Sequence, residues 1–221
     1  MNTSCPAVDA VLLQKTESTI TSKTLTFPGY IQILKNVLSP DECQELINAT
    51  EAHGFKRASL YTDIFGKEYF SDTRKSERCI VDSPQFVAVL EERLRPYLPA
   101  EFRSGKLKGI NERLRFLKYT TGDEFKPHVD GSYTADDGAI SRITILIYLN
   151  SDYTGAYTEF AGETEWISVI PETGMVVLQD QSLLHRVPPL QTGCKYVIRT
   201  EVMYYPPAPN KSEFKEITVT M

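Results

Sequence analysis

Two of the three histidines in this 221-residue chain stand where one divalent metal ion could use them. The segment Lys126-Pro127-His128-Val129-Asp130 spaces a His and an Asp two residues apart. In an extended strand residues i and i+2 share a face, so an imidazole and a carboxylate can converge on one ion. A third ligand candidate, His185, follows in Ser182-Leu183-Leu184-His185-Arg186-Val187, and Lys195 comes ten residues after it. Two imidazoles and one carboxylate on one side of a metal leave the opposite positions open. That arrangement suits non-haem Fe(II) and its reaction with dioxygen. A cation at Lys195 could hold an acidic co-substrate beside the metal.

A lone His-x-Asp carries little, because a core histidine with a satisfied hydrogen bond explains most of them. The longer pattern carries more: His-x-Asp, a β-rich interval, a second His, then a cation inside another strand. His53 is the contrasting case. It precedes Gly54 at the end of an expected helix, where a His suits the carboxyl-terminal dipole. No chemistry is assigned to it.

The elements that must position these residues are legible in outline. Ser39-Pro40-Asp41-Glu42 predicts a helix start, with a Ser N-cap, Pro at N1 and a capping-box Glu, and Gly54 predicts its end. Ser83-Pro84 predicts a second helix, with Phe86, Leu90 and Leu94 on one stripe and Pro96 and Pro99 beyond it. From about Glu112 the chain becomes a run of short strand-like segments. Arg113 to Tyr119 alternates polar and apolar residues. Ile143 to Leu149 is dense in β-branched and aromatic residues and reads as a central strand. Phe125 to Asp130, Tyr157 to Phe160, Glu165 to Ile170, Met175 to Leu178 and Val197 to Tyr205 complete the series. Many short strands between turn residues indicate a sandwich or barrel. Trp166 is expected in the core.

Residues 1–24 read as a flexible, polar lead-in, followed by a single domain over 25–221. That domain divides into helical support at about 25–105 and a β core at about 110–205. Hydrophobic residues make up 41% of the chain, enough for a sizeable core. The net charge of −5 argues against nucleic acid as a main partner. The four scattered cysteines form no Cys-x-x-Cys pair, so no zinc or redox motif is suggested. The amino terminus lacks a basic n-region, and no stretch approaches a membrane span. A cytoplasmic protein with reduced cysteines is the expectation, with no membrane partner; the oligomeric state is not readable.

A mononuclear iron site without a flavin or haem motif must find its electrons elsewhere. A 2-oxo acid supplies them by decarboxylating as oxygen is split. Its far carboxylate needs a buried cation, because an unpaired buried charge is expensive.

Several stretches carry a family resemblance. They are Leu117 to Gly122, Phe125 to Gly131, Arg142 to Asn150, Gly155 to Phe160, Pro171-Glu172-Thr173-Gly174, and His185 to Tyr204. Over about 110–205 the chain resembles the Fe(II)/2-oxoglutarate-dependent dioxygenases, in their prolyl 4-hydroxylase-like branch. The resemblance implies a mainly β protein with flanking helices and a double-stranded β-helix (jelly-roll) core. It implies iron held by His128, Asp130 and His185, and the distal carboxylate of 2-oxoglutarate held by Lys195. Tyr119 and Tyr148 match tyrosines that line the co-substrate pocket. Arg199, on the strand face of Lys195, is a second cation for that pocket or a structural arginine. Fe(II), 2-oxoglutarate and O2 are then the cofactors and co-substrates, with ascorbate supportive. The implied reaction hydroxylates an unactivated C–H bond. The motif departs from its usual form at Ala156, which puts a methyl where a glycine is common.

For substrate contacts the sequence offers Arg115, Asn111 and Arg78. Arg115 shares a strand face with Tyr119, so it can meet a substrate anion or form a structural ion pair. The polar segment 61–78 and the acidic loop 132–138 are candidates for a specificity-setting mouth. The resemblance suggests a peptidyl prolyl residue as substrate. A free amino acid or another small molecule is the rival. Further rivals are nucleic-acid demethylation, a cupin-like isomerase, a dioxygenase that uses no 2-oxo acid, and a catalytically silent β-barrel binding module.

Overall fold

The Ser39 signal works as expected. In the computed structural model, which describes residues 3–11, 19–25, 27–59, 61, 62 and 67–207, a helix runs Pro40–His53. The Glu42 N–H donates to Ser39 Oγ at 3.1 Å, and the Ser39 N–H donates to the Glu42 carboxylate at 2.7 Å. Gly54 ends the helix at φ 100°, and its N–H donates to the Thr50 carbonyl. The second helix runs Pro84–Leu94, with the Phe86 N–H donating to Ser83 Oγ.

Both helices cover one face of a large antiparallel sheet. Its central strands lie in the order Ile31–Lys35, Val176–Asp180, Ile140–Tyr148, Lys195–Tyr205, Arg113–Tyr119, Glu77–Asp82. A smaller antiparallel sheet orders Phe125–His128, His185–Val187, Thr158–Ala161 and Trp166–Val169. The two form a jelly-roll core, the expected double-stranded β-helix.

Strand periodicity then sorts side chains into two compartments. Along the Ile140–Tyr148 strand, Ile143, Ile145 and Ile147 pack with Leu46, Phe86 and Leu90 of the helices. The alternate residues Leu146 and Tyr148 pack with Phe160, Val177, Val187 and Val197 between the sheets. The Lys195–Tyr205 strand divides in the same way, with Ile198 and Val202 toward the helices and Lys195, Val197 and Arg199 toward the interior. The functional residues therefore occupy the inter-sheet face.

Gly174 closes the tight turn before the Val176–Asp180 strand. It sits at φ 78°, and a Cβ there would lie 2.0 Å from the Leu38 carbonyl oxygen. Only glycine fits this approach.

The structure departs from expectation in four places. Residues 1–24, read as a flexible lead-in, include a Pro6–Val11 helix and a Thr21–Thr24 strand; residues 1, 2 and 12–18 lie outside the described set. Val8 and Val11, three apart, form a short apolar face buried in the helix-side core, which the surrounding Ser and Thr obscured. In the stretch 25–105, Phe27 to Leu34 reads as a turn and then an early strand, and Ile31–Lys35 is that strand, but Glu77–Asp82 is a further strand of the large sheet where the polar residues suggest a loop. Asp130 lies beyond its strand, which ends at His128. Trp166 is half-buried at the small sheet's outer strand, under the Arg186 guanidinium at 4.2 Å, rather than in the core.

Candidate active site

His128 and His185 face each other directly across two paired strands, with ring centroids 4.2 Å apart. Asp130 joins them from beyond the strand end, where its N–H donates to the Gln181 carbonyl. One ligand atom from each of the three residues can be chosen so that all lie within 4.8 Å of one another. The i, i+2 logic thus reaches the right convergence by a different local path.

The surroundings prepare all three as metal ligands. His128 Nδ1 lies 2.8 Å from the Lys126 carbonyl, and His185 Nδ1 lies 2.9 Å from the Leu183 carbonyl. A carbonyl oxygen only accepts, so Nδ1 carries the proton in each ring and Nε2 is left as the donor atom for a metal. Phe125 stacks on His128 at 3.5 Å and fixes the ring plane. Burial and the neighbouring His185 pull His128 down to about 4, so it is a neutral ligand at physiological pH. Burial alone would push the Asp130 carboxyl up. Arg199, His185 and a hydrogen bond from Thr144 outweigh it and hold the group at about 2. Thr144 Oγ1 donates to Asp130 Oδ2 at 2.6 Å, and Arg199 Nη2 lies 3.1 Å from Oδ1. A neutral His128 beside a firmly ionised carboxylate, with His185 opposite, fits a divalent ion.

The triad lines a cavity of about 430 Å³ that also receives Lys195, Tyr119, Arg74 and Arg115. Lys195 is only 1% exposed, and its Nζ donates to the Ala156 carbonyl at 2.6 Å. Among the described residues no carboxylate pairs with it, and burial pulls the ammonium down to about 7. The Tyr119 and Tyr148 rings stand 5.2 and 5.5 Å from Nζ. The Tyr148 hydroxyl donates to Thr158 Oγ1 at 2.8 Å. Ala156 itself adopts φ 48°, a left-handed conformation unusual for a residue with a Cβ. That backbone presents its carbonyl to Lys195, and it is a conformation in which the glycine common at this position would fit without strain.

The remaining expected residues are placed less uniformly. Arg199 bridges Asp130 and Glu201, the latter at 2.8 Å. Arg115 also pairs with Glu201 at 2.8 Å, and Asn111 Nδ2 donates to the same carboxylate at 2.9 Å. Arg78 lines the cavity and donates to Ser59 Oγ at 3.0 Å. Asn111 is not among the cavity-lining residues.

Sequence reasoning passed over Thr144, Thr158 and Glu201 as site residues, and took Arg74 only as one cation of the candidate substrate-facing segment 61–78. Thr144 lies two residues from Leu146 and four from Tyr148, so period-two counting from those residues would have found it. Glu201 is two residues beyond Arg199 and only 2% exposed. A buried acid on the inner face of a cation-bearing strand has to be paired, and that was the available signal.

This geometry defines the class. The family model of the 2OG-Fe(II) oxygenase superfamily matches residues 114–200, a span that contains the triad and Lys195. Residues 114–200 therefore carry a 2OG-Fe(II) oxygenase domain, whose chemistry uses Fe(II), 2-oxoglutarate and O2, and the His128, Asp130 and His185 group fits its metal. The chain's fold is that of three solved prolyl hydroxylases. The viral collagen prolyl hydroxylase of Paramecium Bursaria Chlorella virus-1, solved with 2-oxoglutarate, is 20% identical with a TM-score of 0.58, over 80% of this chain and 97% of that one. The Trichoplax adhaerens prolyl hydroxylase, solved with a hypoxia inducible factor peptide, is 16% identical with a TM-score of 0.60, over 78% and 82%. A Pseudomonas putida prolyl-4-hydroxylase is 16% identical with a TM-score of 0.58, over 89% and 99%. No curated protein matches the chain by sequence. Among the described residues no helix is long and apolar enough to cross a membrane.

Proposed function

We propose that the enzyme hydroxylates a prolyl residue, with His128, Asp130 and His185 holding Fe(II) and Lys195 anchoring 2-oxoglutarate. The observation that carries this reading is one cavity shared by the triad and a buried, carboxylate-free lysine. When bound, Fe(II) with 2-oxoglutarate and O2 supplies oxidative decarboxylation to succinate and CO2 and the power to break an unactivated C–H bond.

The chain's own residues do the rest. Lys195 gives the distal carboxylate its counter-charge, which restores the ammonium's protonation and removes the cost of burying either charge alone. The rings of Tyr119 and Tyr148 wall the co-substrate's end of the cavity. Thr144 and Arg199 fix the Asp130 carboxylate so that it presents one oxygen to the metal. Leu117, Leu146, Val187 and Val197 keep the inner walls apolar, which limits water around the reacting atoms.

The prolyl assignment is supported by the three fold neighbours, each a prolyl hydroxylase, and by a cavity of the size that takes a small ring. The test is succinate formation from 2-oxoglutarate with Fe(II) and ascorbate, followed by prolyl peptides and free proline scored for a gain of one oxygen. Succinate formation with no oxygen added to any prolyl compound would keep the reaction class and remove the substrate.

A further inference from the structure

Among the described residues Arg74 forms no ion pair. It is 9% exposed and lines the same cavity as the triad. Its Nε donates to Ser76 Oγ at 3.2 Å, and its guanidinium lies 5.0 Å from the centroid of Phe125, the ring that stacks on His128. Among the described residues no carboxylate reaches it within ion-pairing distance. Burial pulls this guanidinium below its ordinary range.

The other cations of the cavity are answered. Arg115 and Arg199 have Glu201 and Asp130. Arg78 has Glu68 at 3.9 Å. Lys195 has the co-substrate. Even with 2-oxoglutarate bound, the cations of the loaded site outnumber its carboxylates, and among the described residues Arg74 is the one with no carboxylate at ion-pairing distance; a buried charge without a partner is costly to keep. Stacking on Phe125 would hold it in place without discharging that cost.

We propose that Arg74 is a substrate subsite for a carboxylate, so that the enzyme oxidises a molecule bearing an acid group close to the carbon attacked. The planar fork of a guanidinium matches a carboxylate with two parallel hydrogen bonds. Thr73 and Arg78, which line the cavity beside it, add donors for the same group. The acid comes either from a small molecule's own carboxylate or from an Asp or Glu side chain next to the target in a peptide. The inference rests on the prolyl hydroxylase reading above and names the chemistry its substrate must carry.

The test is anaerobic calorimetry on the full chain loaded with Fe(II) and 2-oxoglutarate, using two matched pairs of probes. One pair is N-acetyl-L-proline and its amide. The other is a capped Gly-Pro-Asp-Gly peptide and its Asn counterpart. In the wild type the acid of at least one pair binds about tenfold or more tighter than its amide, as a charge-assisted hydrogen bond predicts. The pair that shows the preference identifies the source of the acid. In Arg74→Gln the ratio falls to about one, and in Arg74→Lys it is intermediate, because charge is kept and the fork is lost. Because the readout is a ratio within each protein, a general loss of affinity does not mimic the effect. Equal binding of acid and amide in the wild type, no binding of any probe, or a ratio that survives Arg74→Gln overturns the proposal. If Arg74→Gln does not fold, the wild-type ratio and Arg74→Lys decide. Absence of 2-oxoglutarate binding to the Fe(II) protein is a separate outcome. It overturns the functional reading and takes this proposal with it.

Discussion

Arg199 Nη2 lies 3.1 Å from Asp130 Oδ1, so the carboxylate offered to the metal is already paired with a buried guanidinium. In the metal-free protein this pair offsets much of the cost of burying Asp130. Arg199→Gln should therefore destabilise the metal-free fold by about 3–5 kcal/mol, the usual cost of leaving one member of a buried pair alone. Fe(II) would partly replace the lost charge, so the variant should gain more stability from metal than the wild type does. Anaerobic urea unfolding with and without Fe(II) measures both. Equal losses in the two conditions would place the action of Arg199 on Glu201 instead. Thr144→Val removes the other bond to Asp130, at 2.6 Å, without changing volume much. It should weaken Fe(II) binding by about 10–100-fold.

Lys195 links stability to function with opposite signs. Its ammonium is drawn from 10.5 down to about 7. Between those values the unfolded chain binds more protons than the folded one, so the stability of the co-substrate-free protein rises with pH across that window. Below about pH 7 the fold carries the full burden of a buried, unpaired charge. Lys195→Met should remove it and stabilise the co-substrate-free protein near neutrality, by up to about 4 kcal/mol. The difference between variant and wild type should shrink toward high pH. The same change should weaken 2-oxoglutarate binding by roughly two to three decades. Paired urea titrations from about pH 6 to about pH 10, with a 2-oxoglutarate titration of each protein, check both halves. Normal affinity in Lys195→Met, with loss in Arg199→Ala, would move the anchor to Arg199.

The metal assignment is tested most directly by stoichiometry. His128→Ala, Asp130→Ala and His185→Ala should each abolish turnover. The double variant His128→Ala/His185→Ala should bind no iron while its circular dichroism stays that of the wild type. One iron per chain persisting in that double variant would mean that the ion sits elsewhere.

The parts legible in the sequence were those set by local chemistry. Ser39, Pro40, Glu42 and Gly54 act within one turn of themselves, and the helix they bound is the one observed. The alternation of Arg113–Tyr119 fixed a strand and the side of it that holds Tyr119. The convergence of His128, Asp130 and His185, with Lys195 buried in the same cavity, was legible because candidates for a metal site and an anion site come from few residue types. The pairing of Arg199 with Asp130 was not legible, since it depends on which strands become neighbours and in what register. The same is true of Glu201, which gathers Asn111, Arg115 and Arg199 from two strands and a loop. Arg74 looked like one of several loop cations until the bridge to Phe125 placed it against the site.

Gly174 tests whether a turn motif was read for the right reason. At φ 78°, with the Leu38 carbonyl 2.0 Å from where a Cβ would stand, Gly174→Ala must displace backbone. A loss of about 3 kcal/mol or more is expected from strain and clash together. Chemical denaturation reports it. A loss under about 1 kcal/mol would show that the turn relaxes freely.

The two segments named as a mouth should respond unequally to substrate. Residues 63–66 of the first lie outside the described set, but its later part is tied to the strand that ends at His128. The Lys126 N–H donates to the Thr73 carbonyl, and the Lys75 N–H donates to the Glu124 carbonyl, both at 2.9 Å. Arg74 stands between these two bonds, so a ligand held by Arg74 tightens both. The loop 132–138 is clasped from outside the cavity: Asp137 Oδ2 accepts from Lys108 at 2.5 Å and from the Tyr205 hydroxyl at 3.0 Å. It gains little when the cavity fills. Hydrogen exchange of the Fe(II)- and 2-oxoglutarate-loaded protein, with and without the tightest-binding prolyl probe, should therefore slow the Lys75 and Lys126 amides by about tenfold, or ~1.4 kcal/mol of added protection. Amides of 132–138 should change by less than about twofold. Unchanged exchange in both segments removes them from substrate recognition. Slowing confined to 132–138 would mean that the acidic loop, and not the arginine-bearing segment, closes over the substrate.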